Sequence, residues 1–148
     1  MTRITFYFNV LNKHYLLESL VATAFQKRRR VSIVVANDLA ATNASDYLWQ
    51  KNATHFLPNV LAHAERAVLT PVHIFTQGSD KTPDANQDDL LVNLTQSEPS
   101  FFSRYTQLVE IVSMEELDKI AGRQRYIFYR DRGYEINNID YMHSNANA

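Results

Sequence analysis

The chain has 148 residues, 45% hydrophobic and 21% charged, with a formal net charge of −1 and no cysteine. That length suits one domain around a single core, and the composition excludes disordered, fibrous and disulfide-scaffold classes together with any thiol nucleophile or cysteine-ligated metal. A near-neutral charge excludes bulk, non-specific nucleic-acid binding, so such a contact would have to come from a local patch.

No apolar run approaches the ~18 residues of a membrane span, and MTRITFYFNV lacks the layout of a signal peptide, so a cytoplasmic location is expected. Residues 4–10, aromatic and β-branched, predict a buried first strand. Asn12 is the expected cap of a helix over 13–29, where Leu16, Leu17, Leu20, Val21, Ala24 and Phe25 recur at helical spacing. Lys27, Arg28, Arg29 and Arg30 close that helix, where cations complement its dipole; nucleic-acid contact is their second reading. Residues 31–36, VSIVVA, predict a central strand, and Asn37 or Asp38 caps a helix running through Trp49. Strand, helix, strand, helix in this order is the pattern of a parallel sheet covered by helices.

Short strands or extended segments are expected at 56–61 and 71–75, separated by a flexible polar loop at 76–88 from a strand at 90–94. A short helix or turn at 101–105 and a last strand at 108–112 follow. Residues 114–133, MEELDKIAGRQRYIFYRDRG, form the helix around which the rest is organised. Helical spacing places Leu117, Ile120, Ala121, Gln124, Ile127 and Phe128 on a face expected to meet the core, and Lys119, Arg123, Tyr126 and Arg130 on the opposite face. Ser113 is the expected N-cap, Glu116 its capping-box partner, and Gly133 the stop. The domain is expected to span 1–140, leaving 141–148 as a disordered tail.

Catalytic signatures are missing from this pattern. The three glycines, Gly78, Gly122 and Gly133, leave no glycine-rich loop after the first strand, and no Walker motif occurs. His14, His55, His63, His73 and His143 show no HxxxH or HExxH spacing, and no serine lies in a GxSxG context. Asp88-Asp89 and Glu115-Glu116 are sequence neighbours whose side chains point to different faces. No metal, cofactor or catalytic set is implied, and a binding module is favoured over an enzyme. Its two candidate surfaces are the cationic, aromatic helix face and the patch from Trp49 through Phe56, Leu57 and Pro58, since aromatic side chains dominate interface hot spots.

TFYF at the start, RRRVSIVVAND, the LW and FLP patch, DDLLVNL and RQRYIFYRDRGYEI, in that order over nearly the whole chain, resemble the chi subunit family of bacterial DNA polymerase III. The resemblance implies a single Rossmann-like α/β domain, with a mostly parallel sheet, no nucleotide site and no catalytic activity. It implies two protein partners: the psi subunit, which tethers chi to the clamp loader, and the acidic C-terminal tail of single-stranded DNA-binding protein. Contact with DNA would then be indirect. Lys119, Arg123 and Tyr126 match the family's tail-holding positions. Ile127 stands where the family pattern has a lysine, a departure that removes one tail contact or shifts it to Arg130. Trp49, Phe56, Leu57 and Pro58 match the psi-facing region. The alternative function is a direct single-stranded nucleic-acid-binding module using the basic patches; a degenerate nucleotide-fold enzyme is a third.

Overall fold

The computed structural model describes residues 1–50, 60–61, 72–77 and 87–142, with backbone alone at 49–50 and 60–61. Its strands are β1 (Arg3–Val10), β2 (Val31–Val35), β3 (Val60–Leu61), β4 (Val72–Thr76), β5 (Leu90–Asn93), β6 (Gln107–Ser113) and β7 (Ile136–Asp140). Three α-helices are described: α1 (Lys13–Gln26), α2 (Asp38–Gln50) and α3 (Glu116–Asp131). The strands form one sheet in the order β3-β4-β2-β5-β6-β1-β7, with every pairing parallel. The expected α/β class and parallel sheet are therefore present. β2, with all five residues buried, is interior as its composition required.

Strand alternation divides the core into two layers. Val31, Ile33, Val35, Val92, Val109 and Ile111 pack with Leu16, Leu17 and Val21 of α1 and with Ala41, Ala44 and Leu48 of α2. The opposite layer joins Ile4, Phe6, Leu91, Leu108 and Val112 to Tyr129 of α3 and to Phe102 in the 3-10 turn Phe102–Arg104. Asn12 caps α1 by accepting from the His14 and Tyr15 N–H groups, and Asn37 accepts from Ala40 N–H at the start of α2.

Several boundaries differ from the sequence expectation. Strand β7 is new: INNID has no alternating apolar pattern, because as an edge strand it buries little, with Asn137 and Asn138 exposed. Helix α1 stops at Gln26, three residues early, because Arg29 and Arg30 lead directly into β2. Tyr141, assigned to the tail, packs its ring 6.1 Å from that of Tyr7. Residues 51–59, 62–71, 78–86 and 143–148 lie outside the described residues, and with them most of the expected 56–61 segment, the centre of the 76–88 loop and the rest of the tail.

The largest correction concerns α3. Leu117 is 80% exposed, Ile120 47% and Ile127 44%, whereas Asp118, Gly122, Arg125 and Tyr129 form the buried face. Of the expected core face Phe128 does pack against the core, but apolar spacing misassigned Leu117, Ile120 and Ile127 because the strand beneath the helix carries a carboxylate. Glu110 of β6 is wholly buried and receives Arg125 Nε at 2.9 Å and Tyr129 OH at 2.6 Å, so the helix turns its polar partners inward. The N-terminus also differs: Glu115 is the N-cap and makes no side-chain cap bond. Asp118 instead accepts from the Ser113 N–H at 2.7 Å, replacing the expected Ser113–Glu116 box. At the other end Gly133 takes φ +80, and Gly133 and Tyr134 N–H groups donate to the carbonyls of Arg130 and Tyr129, a Schellman stop.

Candidate functional site

The site is built where α3 leaves part of the sheet uncovered. Across one row of the sheet, Asn93 pairs with Glu110, Glu110 with Phe6, and Phe6 with Asn138. Helix α3 seals the Asn93–Glu110 end by inserting Arg125 and Tyr129. Beyond Glu110 an open cleft of about 390 Å³ remains, with Phe6, Phe8 and Asn9 of β1, Val112 and Ser113 of β6 and Asn138 of β7 on one side. Lys119, Gly122, Arg123 and Tyr126 of α3 form the other wall. Much of it lies toward the carboxyl ends of β1 and β6, the usual position of ligands on open parallel sheets.

Three local features shape the cleft. A Cβ added at Gly122 would lie 2.7 Å from Val112 Cγ2, so glycine is what lets the helix backbone approach β6 this closely. The register between β1 and β6 shifts between Tyr7 and Val10, and Asn9 takes φ +59 there, its Nδ2 donating to Asp140 Oδ1 at 3.2 Å. Tyr126 is half-buried with its ring edge-on to Phe6, centroids 5.5 Å apart.

Its electrostatics are cationic. Lys119 makes only a 3.7 Å contact to the exposed Glu116, and Arg123 is exposed with no ion pair among the described residues. Asp118, which could have neutralised them, is used elsewhere: it receives Lys13 at 3.0 Å, Gln96 at 2.9 Å and the Ser113 N–H. Burial alone would raise its carboxyl, but the Ser113 N–H and Lys13 outweigh burial and hold it at about 2. Burial pushes the Glu110 carboxyl up, against the pull of Arg125, Tyr129 and Asn93. Both carboxylates thus fix α3 in place and stay out of the cleft.

Of the five expected tail residues, Lys119, Arg123 and Tyr126 share the cleft. Ile127 and Arg130 do not line it: Ile127 lies on the solvent face of α3 with Ile120 and Leu117, and Arg130 contacts its neighbour Asp131 at 3.4 Å. Sequence reasoning missed Phe6, Phe8, Asn9, Gly122 and Asn138 as lining residues. An aromatic strand reads as core, and only an asparagine close after FYF hinted at a break in β1. Of the expected psi-facing residues, Trp49 lies in the last turn of α2 with its side chain outside the described set, and Phe56, Leu57 and Pro58 lie outside it altogether. Among the described residues no three histidine or acidic side chains are grouped to hold a metal ion, and no helix is long and apolar enough to cross a membrane.

Chemically, the cleft offers two cations beside aromatic edges, with the Asn9 and Asn138 amides on the opposite side. Such a surface can hold carboxylates through charge-assisted hydrogen bonds while covering an apolar side chain. The family model described as DNA polymerase III chi subunit, HolC, matches residues 1–137. The chain is 27% identical over 118 residues to DNA polymerase III subunit chi of Haemophilus influenzae, covering 80% of each chain. It is 29% identical over 117 residues to the Pseudomonas aeruginosa subunit chi, covering 79% of this chain and 78% of that one. With the Escherichia coli subunit chi it shares 27% over 118 residues, covering 80% and 78%. With strands β1 through β6 and the three described α-helices inside the matched span, the chain belongs to the DNA polymerase III chi subunit family.

Proposed function

We propose that this chain is a non-catalytic replication adaptor that holds the acidic C-terminal tail of single-stranded DNA-binding protein in the cleft between α3 and the β1–β7 edge. The observation that carries this reading is the convergence of Lys119, Arg123 and Tyr126 on one cleft with an aromatic base. The tail's carboxylates meet Lys119 and Arg123, and an apolar terminal ring lies against Phe8 and Tyr126. Two cations, aromatic edges and side-chain amides in one open cleft support a binding role. A few charge-assisted bonds and one covered ring give micromolar affinity, about −8 kcal/mol, which suits a contact that must release repeatedly.

The second proposed contact joins Trp49, Phe56, Leu57 and Pro58 to the psi subunit and, through it, to the clamp loader in the cytoplasm. It is supported by the sequence resemblance. Calorimetric titration with a synthetic peptide of the tail tests the first contact. Saturable binding that weakens about tenfold in Arg123→Ala, a loss of ~1.4 kcal/mol, supports it; no heat at millimolar peptide contradicts it. Co-purification of psi, lost in Leu57→Asp and kept in Arg123→Ala, tests the second.

A further inference from the structure

A second concavity lies at the opposite pole of the sheet, where α1 ends and β2 begins. It measures about 470 Å³ and is lined by Phe25, Gln26, Arg28, Arg29 and Arg30. Phe25 is 41% exposed, an aromatic ring left out of the core on the last turn of α1. Arg29 is occupied, with Asp89 at 2.8 Å and Gln107 at 3.0 Å. Among the described residues no ion pair engages Lys27, Arg28 or Arg30, and Nη1 of Arg30 is buried without a hydrogen-bond partner.

The backbone at this point supplies an independent observation. Arg28 takes φ +58. It occupies the left-handed position of a Schellman stop, with Arg28 N–H donating to Phe25 O at 3.1 Å and Arg29 N–H to Ala24 O at 2.8 Å. The same motif ends α3, where the corresponding residue is Gly133. Glycine adopts that conformation freely, and an L side chain is strained there. One helix of this chain therefore ends on the residue its geometry favours and the other on an arginine, which lines the concavity.

We propose that this concavity is a binding site for single-stranded nucleic acid, separate from the cleft on α3, in which a base stacks on Phe25 and the flanking phosphates engage Arg28 and Arg30. A guanidinium fork matches phosphate geometry, and an aromatic face between cations is the arrangement that tracks a single strand without reading its sequence. With a net charge of −1 the contact is confined to a local patch, which makes it weak and salt-sensitive.

Fluorescence anisotropy of a labelled oligothymidylate titrated with the full chain at low salt tests the proposal. The expected result is saturable binding with a logarithmic salt slope near −1.4, about −0.7 for each of two phosphates. Arg28→Gly, which relieves the backbone strain, raises the melting temperature yet weakens binding at least about fivefold, and Phe25→Ala weakens it similarly. Arg123→Ala leaves the affinity unchanged. No saturable binding, or full affinity in Arg28→Gly, overturns the proposal. So does loss in Arg123→Ala alone, which moves the contact to the other cleft. Equal competition by polyglutamate together with indifference to Phe25→Ala also overturns it, reassigning the concavity to acidic peptides. Tail-peptide titration of Arg28→Gly keeps the two sites distinguishable, because that variant retains full peptide affinity if the cleft on α3 holds the tail.

Discussion

Arg125 Nε lies 2.9 Å from Glu110 Oε1, with both side chains almost entirely out of solvent, and this pair fixes the rotation of α3 on the sheet. Once Arg125 and Tyr129 point at Glu110, helical spacing sends Lys119, Arg123 and Tyr126 toward the cleft and Leu117, Ile120 and Ile127 toward solvent. Replacing Arg125 by methionine leaves a buried carboxylate without its cation. Arg125→Met is expected to lower the unfolding free energy by about 3–5 kcal/mol, measured by urea denaturation. In a double-mutant cycle, Glu110→Leu with Arg125→Met is expected to lose less than the sum of the single changes.

Gly122 supports the same geometry from the backbone. Gly122→Ala gains helix propensity of about 1 kcal/mol but sets a methyl 2.7 Å from Val112 Cγ2. Overpacking of ~1–3 kcal/mol opposes that gain, so the variant is expected to be no more stable than the parent and to bind the tail peptide more weakly as α3 lifts. Val112→Ala in the Gly122→Ala background should recover part of both losses, as read by denaturation and calorimetry.

Asp118 gives the stability of the site a pH dependence. Its folded value of about 2 lies below its ordinary 3.8, so its contribution is complete above the ordinary value and disappears as pH falls through the folded one. The difference in unfolding free energy between the parent and Asp118→Asn is expected to shrink by about 2 kcal/mol from about pH 5 to about pH 2. Glu110 is present in both proteins, so its opposite, upward shift does not distort the comparison.

The two Schellman stops predict opposite responses. Arg28→Gly removes a strained left-handed side chain and is expected to stabilise the fold by about 1 kcal/mol. Gly133→Ala introduces that strain at φ +80, with no atom nearby to clash, and is expected to cost about as much. Thermal unfolding of the two variants checks the pair together.

The parallel sheet could be read from the sequence because β1 and β2 are runs rich in apolar and β-branched residues, each followed by a helix cap, Asn12 and Asn37. The cationic face of α3 could also be read, since Lys119, Arg123 and Tyr126 share helical spacing whatever lies beneath them. What covers the opposite side of that helix could not. A buried Glu110 with partners at Asn93, Arg125 and Tyr129 looks, in sequence, like four unrelated polar residues. Hydrophobic periodicity therefore gave Leu117, Ile120 and Ile127 a core role they do not have. β7 escaped for a related reason, as an edge strand needs backbone hydrogen bonds more than an apolar face. Asn138, which completes the cleft, was lost with it.

The most direct measurement is the change in backbone amide NMR shifts as unlabelled tail peptide is added to ¹⁵N-labelled protein. If the cleft is the tail site, saturating shifts concentrate at Phe8, Asn9, Ser113, Gly122, Arg123 and Asn138, which come from four separate elements or their ends and meet only there. Shifts confined to the outer ridge of Leu117, Ile120 and Ile127, or to residues 25–30, would contradict the account and place the tail on another surface.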